Sequence, residues 1–370
     1  MSLTAPKRDL PPRRSTARIL APAILIGFVL LAYGVYWYVM GDRVRNEVEA
    51  WSARSAQEDV TGSWQSLKLR GFPYRIELNF DRPQLQAMQA PEQWNWTAQG
   101  LQAELLPYNL RHIILKVSGP QTLSYRDVSD GSRHMLRIVT QDVWASYVAL
   151  DGKPLGRVAI DIRDMIAKLD EDANGASQLV AAASRLQLHT RPSSDAESVA
   201  NEPAPPADSY DLAFQGNNIA VDMPTPPLFG PHVELATLQA RITHMPQHEN
   251  GSAVELLNAW RMAGGELAVS SLELKWGALS LKGNGKLSID DQHRLQGNLS
   301  ADIANYSGLI KALVDAKVVH ERVADLAQAG ANIFSQFQGA TPGSVKLPMR
   351  IQDGTIYLGP LPIGELAPLY

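Results

Sequence analysis

Apolar residues recur at every second position through most of this chain. That is the spacing of a strand with one buried face, because successive side chains on an extended backbone point to opposite sides. Residues 66–70 carry Leu67 and Leu69 on one side, and residues 74–80 set Tyr74, Ile76, Leu78 and Phe80 against Arg75, Glu77 and Asn79. Gly71, Phe72 and Pro73 interrupt the alternation. Glycine takes positive φ without steric cost, the residue before a proline is driven to an extended geometry, and proline cannot donate to a ladder. The trio therefore predicts a corner between two paired strands, continuing through Tyr74 and Arg75. Phe72 is expected to plug the end of the core, which ranks it above Gly71, and Gly71 above Pro73, in the stability lost on substitution.

The same alternation predicts strands at 111–118, 133–139, 184–190 and 210–221. Residues 266–303 read as a long antiparallel meander with turns near Gly277 and at 290–293. Within it the apolar phase changes between Leu267/Val269 and Leu272/Leu274, which predicts a β-bulge at Ser270 and Ser271. Spacings of three and four predict short helices at 164–169 and 178–183, and a longer one at 254–262 stopped by Gly264 and Gly265. One broken helix or two over 309–337 are expected to pack on the open sheet face, and a hairpin around Asp353-Gly354 closes the chain. The fold class is α+β, dominated by antiparallel sheet.

One segment breaks this writing altogether. Between Ile19 and Met40 no charged residue occurs over 22 positions, and at about 1.5 Å per residue such a helix matches the roughly 30 Å of a bilayer core. Tyr36, Trp37 and Tyr38 mark one end as an interfacial belt. Lys7, Arg8, Arg13, Arg14 and Arg18 precede the segment against Asp9 alone, whereas Asp42, Glu47 and Glu49 offset Arg43 and Arg45 after it. This asymmetry keeps the N-terminus cytoplasmic and exports the chain beyond Met40. A cleaved signal would be shorter and have a small-residue site close behind it. The expected organisation is a basic tail (1–18), a membrane helix (19–40) with the lipid bilayer as its partner, a helical stalk (41–62) and an exported β-rich domain (63–370). Residues 191–208, rich in proline, serine and alanine, read as a loop within that domain.

Composition narrows the function classes. The net charge of −4 and pI near 6.1 give no basic face for nucleic acid. With Cys 0 there is neither a disulfide nor a thiolate site. A membrane segment and then "GFPYR" (Gly71, Phe72, Pro73, Tyr74, Arg75), "AWRMAGGELAVSSLELKWGALSLKGNGKLSID" and the terminal "DGTIYLGPLPIGELAPL" resemble the bacterial family catalogued as domain of unknown function 2125, and are similar in style to AsmA-like envelope proteins. The resemblance implies an inner-membrane anchor and a β-rich periplasmic region, and brings no catalytic residues with it.

Candidate chemistry is sparse. "DEDANG" sets Asp170, Asp172 and Asn174 at positions one, three and five of a calcium loop, but Ala181 stands where the bidentate Glu belongs. His244 and His248 are separated by Pro246, which prevents a regular helix from presenting both to one ion. Asp161 and Asp164, beside Arg157 and Arg163, read as a solvated face rather than an acid/base pair. Trp94 and Trp96 share one side of a strand, as core or as the lining of a groove. No nucleophile, nucleotide or metalloprotease motif occurs, and no cofactor is implied. The expectation is a non-enzymatic envelope scaffold or handler of lipid or another hydrophobic ligand, with a protein-binding module for an envelope partner as the alternative.

Overall fold

A computed structural model describes residues 17–55, 60–87, 93–127, 130–153, 155–170, 177–193, 206–221, 229–246, 253–315, 317, 320–337, 343–359 and 361–370. The basic tail up to residue 16, the middle of the 191–208 loop (194–205), the segment after Asp170 and His248 lie outside them. Helix α1 (Ala17–Ser55) leads into β1 (Thr61–Ser63), β2 (Ser66–Arg70), β3 (Ile76–Asp81), β4 (Gln84–Ala87), β5 (Trp94–Leu106) and β6 (Asn109–Arg126). Next come β7 (Arg133–Val139), β8 (Asp142–Val148), β9 (Arg157–Asp170), β10 (Ser177–Pro192), β11 (Tyr210–Val221) and β12 (His232–Ile242). Helix α2 (Ala253–Met262) precedes β13 (Leu267–Trp276), β14 (Leu279–Ile289) and β15 (Leu295–Ala304), and helices α3 (Tyr306–Asp315) and α4 (Glu321–Phe337) precede β16 (Ser344–Gln352), β17 (Thr355–Leu358) and β18 (Leu361–Glu365).

All these strands form one antiparallel sheet in which the chain advances from neighbour to neighbour. β1 and β2 lie end to end against β4 and β3, which both pair with β5, and β7 and β8 lie end to end between β6 and β9. From β9 onward each strand pairs with the next through β18.

The register sorts side chains by polarity. One cross-strand row reads Asn79, Gln102, Lys116, Trp144, Asp161, Gln187, Gln215, Thr237 and Glu273. The neighbouring row, on the other face, reads Leu78, Ala103, Leu115, Ala145, Ile160, Leu188, Phe214, Leu238 and Leu272. The lone aromatic of the polar row, Trp144, lies under the Lys116 ammonium at 4.7 Å, a cation–π contact suited to an exposed ring.

A line of irregularities crosses the sheet. Arg82, Asp164 and Asn218 take φ of 48°, 47° and 48°, and Gly119 takes 74°. The register connects them through the slip between Ala98 and Gly100 and the break at 140–141. Apolar positions change parity at this line, from Ile162 to Met165 and Ala167 in β9 and from Leu186 to Ala183 in β10. An irregular residue lets a strand keep its apolar side on one face.

Two expectations fail for this reason. The segments 164–169 and 178–183 are not helices but parts of β9 and β10, paired in register. The parity change left Ile162, Met165, Ile166 and Leu169 at spacings of three and four, which imitates a helix. The bulge at Ser270 is present, with Ser271 opposite Gln239 and Val269 opposite Ala240. The 309–337 region forms α3 and α4, and the hairpin at Asp353-Gly354 joins β16 to β17. Helix α1 runs to Ser55, and Gly62 already belongs to the sheet.

Candidate functional site

Helices cover the apolar face at its two ends. At the far end Tyr306, Leu309 and Leu313 of α3 pack with Leu281, Ile303 and Val345, all buried. At the near end Trp37 of α1 packs with Ile76 and Leu105, joined by Met40, Val44, Leu69 and Ile113. Between them Leu115, Ile160, Leu188, Phe214 and Leu238 are half-buried, and Leu238 packs on the buried cluster of Ala240, Val269, Leu287, Leu299 and Ile351. Ile76, Leu105, Ile113, Tyr147, Val158, Thr190 and Leu212 are successive cross-strand partners, so the row runs unbroken from the strands beside α1 to the middle of the sheet.

Helix α1 is held to the strip's first strands by polar contacts as well. Tyr33 donates to the Pro73 carbonyl at 2.6 Å, Tyr36 to the Pro107 carbonyl at 2.9 Å, and the Trp37 indole to the Arg75 carbonyl at 3.0 Å. These satisfy turn carbonyls that have no ladder partner. The Gly71–Arg75 turn joins β2 to β3 as the corner expectation holds, with Gly71 at φ 98°. Phe72, however, does not plug the core. It is 59 % exposed and meets Trp37 edge to face at 5.4 Å. The motif sets out a β-turn but cannot show that the next element against it is the helix 35 residues upstream. Tyr74 is 82 % exposed, and Arg75 pairs with Glu104 and Glu77.

Trp94 and Trp96 are half-buried on β5, opposite Ala87 and Leu85. The Trp96 indole donates to Gln121 Oε1 at 3.1 Å, and Gln121 is itself buried. Asp161 and Asp164 do not face one another as an acid/base pair. Asp161 takes two bonds from Arg185, at 2.8 and 2.9 Å, which with Arg163 hold its carboxyl below the usual range, while Asp164 sits at the irregular line.

The polar face carries a feature that the alternation did not single out, a hollow of about 1000 Å³ across β8 to β14. Small residues, Ser146, Ala159, Ala213 and Ser270, open it, and Arg157, Arg191, Arg241 and Lys286 stand along one row. Charge there is largely compensated. Asp211 meets Arg241 at 2.9 Å and Arg191 at 3.6 Å, and Lys286 meets Glu266 at 2.7 Å. Burial pushes the Asp211 carboxyl up, but the bonds from Arg241 and Ser193 outweigh it and hold it below its ordinary value. Asp127, Asp130 and His134 lie within 4.8 Å of one another at the β6–β7 turn. Asp130 accepts from the Ser132 amide and Ser132 contacts His134, bonds that belong to the turn itself.

Fold and site together define a broad antiparallel sheet built against one helix long and apolar enough to cross a membrane, a length and composition that a signal sequence shares. Within that class, the chain belongs to the family described as an uncharacterized protein conserved in bacteria (DUF2125), whose model matches residues 37–367. No curated protein matches it.

Proposed function

We propose that this is a non-catalytic, single-pass protein of the bacterial inner membrane, with its sheet in the periplasm, that shelters acyl chains on its apolar strip. The observation that carries the reading is the continuity of the strip with α1: the residues that begin it, Ile76, Leu105 and Ile113, pack on Trp37 and Met40. An acyl chain leaving the bilayer beside α1 meets a row of mainly apolar side chains with no charged group in it, broken only by the hydroxyls of Tyr147 and Thr190, and burying each methylene is worth about 0.8 kcal/mol. Native mass spectrometry of the full chain extracted in mild detergent tests this. Retained phospholipid supports it, and a ligand-free protein refutes it.

A second reading is favoured by the hollow on the opposite face. The described ends of the 191–208 loop border it, with Arg191 in its lining and the Asp208 carbonyl accepting from the Met245 amide. A protein partner of the envelope could dock there. Crosslinking in cells separates the two: a discrete protein adduct that disappears when 194–205 is deleted supports a partner, and an unchanged pattern removes the loop from that role.

A further inference from the structure

The large apolar side chains of α1 from Ile24 to Leu31 are exposed, at 55 to 69 %. From Tyr33 onward the helix instead touches two turns of the sheet. Phe72 lies against Gly34 at about 3.9 Å from where a Cβ would stand, and the hydroxyls of Tyr33 and Tyr36 hold the Pro73 and Pro107 carbonyls. Tyr33 precedes Met40 by seven residues, about 10 Å along a helix axis. If Met40 lies at the edge of the hydrocarbon, these turns reach below that edge.

Their composition fits this depth. Residues 71–74 and 107–110 contain no charged side chain. Phe72, Tyr74 and Tyr108 are 59, 82 and 78 % exposed, and Leu110 is 37 %. Large exposed rings on a soluble surface are costly to hydrate, whereas Tyr and Phe at a headgroup boundary bury their faces and keep the hydroxyl wet. The charges that flank the tips are Arg70, which is exposed at the end of β2, and Arg75 and Arg111, which are ion-paired to Glu104 and Asp151.

We propose that the Gly71–Tyr74 and Pro107–Tyr108 turns form an aromatic wedge that inserts into the leaflet beside α1, with phospholipid as its partner. The wedge rests on the reading of α1 as membrane-spanning, and it would fix the start of the apolar strip at the lipid surface rather than above it.

The absence of cysteine makes the test direct. Single variants Tyr74→Cys, Tyr108→Cys, Val29→Cys and Met262→Cys of the full chain, each carrying an environment-sensitive fluorophore, are reconstituted in phosphatidylethanolamine/phosphatidylglycerol vesicles with and without lipid-borne quenchers. Val29 reports the helix, and Met262, 79 % exposed on α2, reports a site remote from lipid. Emission at 74 and 108 should shift to the blue and be lost to shallow quenchers, as Val29 is lost to deep ones, while Met262 is unaffected. Quenching at Val29 with water-like emission at 74 and 108 overturns the wedge and leaves the spanning helix standing. Absence of quenching at Val29 overturns the membrane reading itself, and the wedge with it.

Discussion

The indole of Trp37 donates to the carbonyl of Arg75 at 3.0 Å, and the ring is 6 % exposed although it projects from an otherwise bare stretch of helix. Helix α1 is thus part of the core of the sheet, not a tether beside it. Trp37→Phe keeps most of the packing and orphans one carbonyl, a loss of about 1 kcal/mol, whereas Trp37→Ala should cost about 3–5 kcal/mol through the cavity left between α1, Ile76 and Leu105. Denaturant melts of the full chain in detergent measure both, and equal melts for the two variants would contradict the packing.

Gly71→Val should destabilise more than Phe72→Ala, the reverse of the ranking that the sequence suggests. Gly71 has φ 98°, and a Cβ there would stand 2.4 Å from the Arg75 carbonyl oxygen, so strain of about 1–3 kcal/mol or more is expected. Phe72 is 59 % exposed, and its truncation should cost about 1 kcal/mol in detergent. The same melts decide the order.

Asp161 gives the acid limb of the stability profile a specific contributor. Its carboxyl is lowered first by the hydrogen bonds from Arg185 and then by the charges of Arg185 and Arg163, against opposing burial. A folded value below the unfolded one means the stabilisation is complete above the ordinary carboxylate pKa of about 3.9 and is lost as pH falls through the folded value. Asp161→Asn should therefore lower the melting temperature at neutral pH and narrow the difference between neutral and acidic melts. An unchanged difference would remove the pair from the profile.

Phe214→Glu places a carboxylate in the middle of the apolar strip, while Gln215→Glu places one on the opposite face of the same strand. The first should strip phospholipid from the purified protein and the second should not, as read by native mass spectrometry. Equal retention would exclude the strip as the binding surface.

Much of the sheet was legible because one apolar face imposes a period of two, and at Ser270 even the bulge showed as a change of phase between two runs of leucine. At Asp164 the same kind of change was misread, since Met165 and Ile166 bring two apolar residues together and mimic a helix. What separates the cases is the neighbouring strand. Ala183 and Leu186 shift in step with Ile162 and Met165, a correspondence that appears only once β9 and β10 are in register. The Gly71–Pro73 corner was legible from backbone chemistry, but the placement of Phe72 was not, because it depends on Trp37 and Gly34 in a distant helix. The hollow on the polar face left little trace either: Ser146, Ala159 and Ala213 are ordinary residues alone and form a floor only when adjacent.

The neighbour-to-neighbour order of the strands also sets how the molecule can be assembled. A strand that pairs with its immediate predecessor across a short turn recovers its ordering entropy locally and early, and the longest connections, from β12 to β13 and from β15 to β16, carry helices of their own. None of the described strands inserts between two already formed, and of the earliest, β1, β2 and β3 touch the helix that precedes them and Leu105 of β5 packs on its Trp37. A polypeptide delivered N-terminus first can therefore acquire its structure in the order of its delivery, and from β9 onward each arriving strand joins the edge left by the one before it, until β18.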